Sequence, residues 1–260
     1  MPFGYMQSLF QKKRLSQVFL RDISSVSDYL DLADFSGKTV LEIGAGTGVV
    51  TEYLAARAKR VVAIEIDPEA IGALKQRTAG MKNVEVVAAD ALRASLDYPV
   101  VVGFLPYHIS TPLLVRLLHS DYGDAILCLQ KEFALRMVAP PDDVEYSRLS
   151  VLAQSLADVE FLGVVPAGAF VPVPKVDSAL VYLHRNPKFS LDDALVSALF
   201  QHKNQSVKNA VGHSARALGI DKPAAKALAA SLPLNDRKVR SLTLEELETL
   251  SKAFQAASAV

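Results

Sequence analysis

The residues best placed to do chemistry are Glu42, Gly44, Gly46, Gly48 and Glu65. Three glycines at alternate positions follow the apolar run of residues 40–43. Glycine lets a backbone turn sharply and lets a ligand approach it with no Cβ in the way. Glu65 ends the next apolar run, at a distance that suits a carboxylate receiving the two ribose hydroxyls of a bound nucleoside. The chemistry implied is the binding of a nucleoside-containing cofactor at the mouth of a helix.

The third glycine separates two cofactors. Dinucleotide sites read G-x-G-x-x-G, whereas this turn is Gly44-x-Gly46-x-Gly48 after the acidic Glu42. S-adenosylmethionine (SAM) methyltransferases commonly have the second form, and with Glu65 on the next strand it favours SAM over a dinucleotide. A purely structural glycine turn is the remaining alternative.

These residues need a strand, a tight turn and a helix to hold them. Residues 40–43 read as a buried strand after the Gly37-Lys38 turn signal, and residues 49–58 have helical spacing. The alternation continues with strand 60–64, helix 68–78, strand 84–88, strand 99–102, helix 111–120, strand 124–129 and helix 131–138. Pro68 and Pro112 fall in first helical turns, where proline is tolerated. Such alternation predicts a mainly parallel sheet with helices on both faces. Ser24 or Ser25 is a candidate cap for a helix reaching about Ala33. Residues 147–157 read as a further helix, and 159–165 and 178–184 as two strands joined by a proline-containing loop, suited to an antiparallel hairpin at one sheet edge. Beyond Asn186-Pro187 the chain is rich in Ala, Leu and Lys with helical periodicity. The expected division is therefore a cofactor-binding domain over 1–186 and a small all-helical domain over 187–260.

Composition sets bounds. A chain of 260 residues, half of them apolar, is long enough for one large core or for one core and a small second domain. The 28 basic and 28 acidic residues cancel, so net charge gives no argument for nucleic acid. Both ends are mildly basic: Lys12, Lys13, Arg14 and Arg21 face only Asp22 in the first 22 residues, and residues 185–260 hold 11 Lys and Arg against 7 Asp and Glu. The single cysteine, Cys128, sits in an apolar run and reads as a buried strand residue. The sequence contains no signal-peptide core and no apolar run of membrane-spanning length, so a soluble, cytoplasmic protein is expected. The five histidines have no metal-ligand spacing, and no metal is expected.

Four further stretches are more specific than the glycine turn: Ser16-Gln17-Val18-Phe19-Leu20, Ala89-Asp90-Ala91, Gly103-Phe104-Leu105-Pro106-Tyr107, and Phe170-Val171-Pro172-Val173-Pro174-Lys175-Val176-Asp177-Ser178. With residues 42–48 they closely resemble the KsgA family of small-subunit ribosomal RNA adenine dimethyltransferases, relatives of the Erm 23S rRNA methyltransferases and the mitochondrial transcription factors B. Residues 200–209 resemble the family's basic helix, and Asp236-Arg237-Lys238-Val239-Arg240-Ser241-Leu242-Thr243 its closing P-x-R-x-E-x-L-[ST] segment. The resemblance implies an α/β, Rossmann-like SAM-dependent methyltransferase fold with a seven-stranded sheet, followed by the small helical domain.

The resemblance also assigns roles. Glu42, Gly44, Gly46, Glu65, Asp90 and Ala91 would hold SAM, with Asp90 accepting from the exocyclic amine of its adenine; an Asp in that place also caps helices. Gln17 and Leu20 would close over the methionine end, with Phe104 beside it. Phe104, Leu105, Pro106, Tyr107 and Phe170 would form the reacting site. The N6 amine of adenine is a poor nucleophile because its lone pair is delocalised into the ring. The base must be held in line with the sulfonium methyl and its amine given hydrogen-bond acceptors. It must also be taken out of any stack and held against an aromatic face, for which Tyr107 and Phe170 are placed. Lys12, Lys13 and Arg14 flank the active-site lid and are candidates for an RNA backbone. Lys203 and Lys208, with His202 and Arg216, are also candidates, unless they form an ordinary solvated helix face.

Two positions depart from the pattern. The family motif begins with Asn where this chain has Phe104, and G-Q-N-F-L has become Ser16-Gln17-Val18-Phe19-Leu20. A phenyl ring cannot accept a hydrogen bond from N6, which leaves the Leu105 carbonyl as an acceptor. By analogy with loss of a preorganised polar group at a transition state, the change costs ~2.7–4 kcal/mol. Two amides lost from one site read as one linked change. The expected function is SAM-dependent N6-methylation of adjacent adenines in the 3′ stem-loop of small-subunit rRNA, by a monomer acting on the pre-small ribosomal subunit. The alternative is an rRNA-binding assembly factor that keeps a SAM pocket without efficient transfer. A small-molecule methyltransferase would leave the C-terminal domain and the Phe170 motif unexplained.

Overall fold

The structure is a computed structural model and describes residues 18–258. The chain forms two compact units. One comprises the residues up to Ala134 with Val159–Arg185, and the other Leu135–Asp158 with the residues from Asn186 onward.

The first unit is built on strands β1 (Phe19–Leu20), β2 (Thr39–Ile43), β3 (Arg60–Glu65), β4 (Val84–Ala88), β5 (Val100–Phe104), β6 (Asp124–Gln130), β7 (Ala157–Val165), β8 (Phe170–Val171) and β9 (Ser178–Arg185). Between them run helices α1 (Ser27–Leu30), α2 (Val49–Ala55), α3 (Pro68–Arg77), α4 (Ser110–Leu118) and, at the unit's margin, α5 (Lys131–Val138). Seven strands make one sheet in the order β4-β3-β2-β5-β6-β9-β7. The pairs β2/β3, β3/β4, β2/β5 and β5/β6 are parallel, and β6/β9 is antiparallel.

The pattern follows from burial. Val40, Leu41, Val100, Val101 and Val102 are fully buried, as in a parallel sheet covered on both faces, where strands read as continuous apolar runs. The chain leaves β2 toward β3 and β4 on one side, then returns to lay β5 on the other. That reversal opens a crevice beyond the carboxyl ends of β2 and β5, the usual ligand position in such sheets.

Two features differ from the sequence reading. Instead of a helix starting at Ser24 or Ser25, Asp22 accepts from the Ser24 N–H at 2.7 Å and caps one 3₁₀ turn, Ile23–Ser25, before the single-turn α1. The late strands do meet at the sheet edge, with β9 inside and β7 outermost. The loop joining them contains a strand that periodicity could not reveal: β8 pairs antiparallel with β1, Phe19 opposite Val171 and Leu20 opposite Phe170.

The second unit contains α6 (Arg148–Leu156), α7 (Asp193–Phe200), α8 (Val207–His213), α9 (Lys222–Ser231) and α10 (Leu244–Ser258). Leu195, Leu199, Val207, Val211, Leu247 and Leu250 form its core. Besides the residues from Asn186 onward, the unit takes in Leu135–Asp158. Tyr146 and Val151 bury themselves in this helical core, and the Tyr146 hydroxyl donates to the Leu242 carbonyl at 2.9 Å. The expected basic helix over 200–209 is interrupted: α7 ends at Phe200, and α8 begins after Ser206, whose side chain accepts from the Asn209 N–H. The closing segment braces that interruption, with Val239 N donating to Gln205 O and Arg240 N to Lys203 O, each at 2.9 Å.

Candidate active site

The glycine turn leaves β2 with Gly44 at φ +73° and Gly46 at φ +53°, both left-handed. Space excludes side chains as firmly as conformation does. A Cβ on Gly44 would stand 2.9 Å from the Phe104 carbonyl oxygen, and one on Gly46 would stand 2.8 Å from the Phe19 ring. Glycine is needed here because two neighbouring motifs approach the turn so closely.

Glu65, only 5 % exposed, fastens the turn to the end of β3. Its Oε2 accepts from Gly46 N at 2.9 Å, and its Oε1 accepts from Ile66 N at 2.8 Å and Asp67 N at 2.9 Å. A carboxylate has about four acceptor positions, so roughly one stays free for a ligand. Glu42 lies deeper, 1 % exposed, with Oε2 accepting from the Thr51 hydroxyl at 2.5 Å. Burial away from water pushes its carboxyl up to about 8, with the Thr51 bond opposing and the nearby Glu65 adding to the shift. Glu42 therefore links β2 to α2 beneath the turn.

Three adjoining cavities open around these residues. One lies along the ends of β3 and β4, bounded by Glu65, Ile66, Asp90, Ala91, Leu92 and His108, with Gly44 and Pro106 at its inner wall. Asp90 keeps both readings: it lines this cavity, and its Oδ1 accepts from Leu92 N at 2.9 Å as a turn cap. The second cavity lies under the glycine turn, between Val18, Leu20, Glu42 and Phe104. The third is bounded by Phe104, Leu105, Pro106, Tyr107, Phe170, Cys128 and Ser178, and also reaches Gly44 and Glu65.

The third cavity is the aromatic one. Phe170 is 3 % exposed and held by its place in β8. Tyr107 opens a 3₁₀ turn, and its hydroxyl lies 2.9 Å from Ser178 Oγ, while burial raises its pKa. Leu105 is buried, and its N–H donates to Cys128 O at 3.2 Å. The Cys128 thiol is pushed up to about 12 by burial, so it stays protonated and is no nucleophile. Phe104 and Val18, the two departures, both line the second and third cavities and pack against the same core cluster.

Most sequence-selected residues thus converge on one edge of the sheet, while Gln17, Lys12, Lys13 and Arg14 lie outside the described residues. Lys203 and Lys208 belong to the second unit. Lys203 is internally engaged: its ammonium donates to the carbonyls of Val144 and Tyr146, both at 2.9 Å. Lys208 is exposed. Sequence reasoning passed over Ile66, 55 % exposed beside Glu65, and Ser178, the last residue of a motif already singled out. Ile66 carried a signal, being an apolar side chain directly after the strand-end carboxylate. Among the described residues no group of acidic, His or Cys side chains could hold a metal ion, and no helix is long and apolar enough to cross a membrane.

The ribosomal RNA adenine dimethylase family matches residues 9–246. "Probable ribosomal RNA small subunit methyltransferase A" of Thermococcus gammatolerans is 41 % identical, covering 94 % of this chain and 89 % of that one. The protein of the same name from Methanopyrus kandleri is 38 % identical, over 98 % and 97 % of the two chains. Among solved structures, a dimethyladenosine transferase from Plasmodium falciparum superposes with a TM-score of 0.79 at 27 % identity, over 92 % of this chain and 98 % of that one. The 23S rRNA methyltransferase ErmE superposes with a TM-score of 0.66 at 28 % identity, over 91 % and 99 %. The glycine cradle, the strand-end carboxylate and the aromatic cavity thus occur in a chain that belongs to the ribosomal RNA adenine dimethylase family, SAM-dependent methyltransferases.

Proposed function

We propose that this protein methylates N6 of the two adjacent adenines in the 3′ stem-loop of small-subunit rRNA during small-subunit biogenesis. The observation that carries the reading is the junction of two cavities at Gly44 and Glu65: a cleft along the ends of β3 and β4 that Asp90 also lines, and an aromatic cavity walled by Tyr107 and Phe170. The cradle fits SAM, because Cβ atoms on Gly44 and Gly46 would fill the space beside Phe104 and Phe19.

When bound, SAM supplies an electrophilic methyl group. The chain's own residues do the rest. Asp90 would accept from the cofactor's adenine amine through Oδ2, which lies 4.0 Å from Arg93 Nε, and Ile66 would pack on the adenine face. Glu65 takes a ribose hydroxyl at its remaining acceptor position. Leu20 and Gln17 close over the methionine end. Tyr107 and Phe170 hold the extruded target base, and the Leu105 carbonyl accepts from N6, which frees the nitrogen lone pair for attack. Lys12, Lys13, Arg14 and Lys208 track RNA phosphates. The protein acts as a cytoplasmic monomer without a metal.

A second reading is an rRNA-binding assembly factor with impaired transfer. It is favoured by one observation, that the apolar Phe104 and Val18 line both the cavity under the glycine turn and the aromatic cavity. One assay separates the two: purified protein is incubated with labelled SAM and under-methylated small subunits, and the adenines are read by mass spectrometry. Dimethyladenine is expected. Monomethyladenine alone would locate the impairment at the second transfer. No product with SAM and subunit binding intact would favour the assembly factor.

A further inference from the structure

Ser178 is the first residue of β9, 1 % exposed and paired in register with Gln130 of β6. Its hydroxyl faces the aromatic cavity and lies 2.9 Å from the hydroxyl of Tyr107. The two aromatic walls are held differently. Phe170 is fixed by the β1/β8 pairing and by burial. Tyr107 is only half-buried, on a turn that follows Pro106. The phenol oxygen lies on the axis of the second side-chain bond, so a hydrogen bond there stops the swing of the ring about the first bond and leaves only rotation about the ring's own axis. The first residue of β9 provides that hydrogen bond, and its pairing with Gln130 at the end of β6 locks it in place. With a phenyl at position 104, no side chain there can orient the base by accepting from it, so the aromatic walls carry more of the alignment.

We propose that Ser178 is a positioning residue for methyl transfer, holding the Tyr107 ring as a fixed wall against which the target adenine stacks. The inference rests on the reading of the chain as an adenine N6-methyltransferase. A reacting group misplaced by about 1 Å loses up to a hundredfold in rate, so loosening one wall is expected to slow the chemical step while leaving SAM binding alone.

The test compares Ser178→Ala, Tyr107→Phe and the double variant on under-methylated small subunits, after thermal unfolding has shown which of them fold. Tyr107→Phe keeps the ring and leaves the β6/β9 pairing untouched, so it reports on the bond even if Ser178→Ala does not fold. Each single variant is expected to lower kcat about tenfold at unchanged KM for SAM, and the double variant to be no slower than either. Ser178→Thr, which keeps the hydroxyl, should recover most of the rate. A readout free of activity comes from 3-fluorotyrosine labelling. The Tyr107 fluorine resonance, assigned by its loss in Tyr107→Phe, should be sharp in the unaltered protein and broadened in Ser178→Ala. Additive losses in the double variant, an unchanged kcat in Ser178→Ala or Tyr107→Phe, or an unchanged resonance would overturn the proposal. If the unaltered protein forms no methyladenine, the functional reading fails and this one fails with it. Methyladenine formed at full rate by Ser178→Ala overturns this proposal alone.

Discussion

The backbone N–H of Gly46 donates to Oε2 of Glu65 across 2.9 Å, joining the glycine turn after β2 to the end of β3. With Ile66 and Asp67 on its other oxygen, one side chain shapes the turn and faces the cleft. Glu65→Ala should therefore do two things. It leaves buried N–H groups without an acceptor, lowering unfolding stability by about 1–3 kcal/mol. It also weakens SAM binding at least tenfold, measured by calorimetry under conditions where the variant is folded. An unchanged affinity would remove Glu65 from the cofactor site.

Gly44→Ala tests the cradle. The new methyl would meet the Phe104 carbonyl at 2.9 Å, in a backbone conformation that L-residues adopt only at a penalty of roughly 1–2 kcal/mol. Denaturant titration should show a loss of at least that size, and SAM binding should fall. A variant as stable as the parent would mean the turn relaxes freely.

Phe104→Asn supplies the acceptor that the motif resemblance expects at this position. Methyl transfer should rise by roughly a hundred- to thousandfold, with RNA affinity nearly unchanged. Val18 and Phe104 line the same two cavities, so Val18→Asn combined with Phe104→Asn should differ from the sum of the single effects. A drop in activity on Phe104→Asn would show that the pocket has been rebuilt around the phenyl.

Glu42 sets a pH dependence of stability. Its carboxyl titrates near 8 in the folded chain, raised chiefly by burial, against about 4.3 in an unfolded one. Between those values the folded state holds a proton that the unfolded state has lost. Stability from this group is therefore complete below about pH 4.3 and declines as pH rises toward 8, by at most about 1.4 kcal/mol per unit. Glu42→Gln should flatten that part of the curve of urea midpoint against pH. The same slope in both proteins would place the titration elsewhere.

The two lysines of the second unit should separate. Lys203→Ala releases the Val144 and Tyr146 carbonyls and should lower stability by about 1–2 kcal/mol, with little effect on the salt dependence of RNA binding. Lys208→Glu should leave stability unchanged and reduce the slope of log K against log salt by about one to two. Equal behaviour of the two variants would contradict this division.

The amino-acid sequence determined the parts whose cause is local. The apolar run into Gly44, Gly46 and Gly48 specified a buried strand and a turn, because glycine alone adopts those backbone angles at no steric penalty. Helix and strand periods placed most elements of the sheet, and Pro68 marked the start of α3. The motifs around Asp90, Phe104 and Phe170 identified the chemistry. Tertiary structure decided what depends on distant partners. Two-residue strands carry no period, so the pairing of Phe19 and Leu20 with Phe170 and Val171 was invisible until the sheet brought them together. Residues Leu135–Asp158 joined the helical unit because Tyr146 and Val151 found their burial there. Ser178 and Lys203 acquired their partners in the same way. A hydroxyl or an ammonium group is bonded or free according to what stands within about 3 Å of it, and only the folded chain sets that distance.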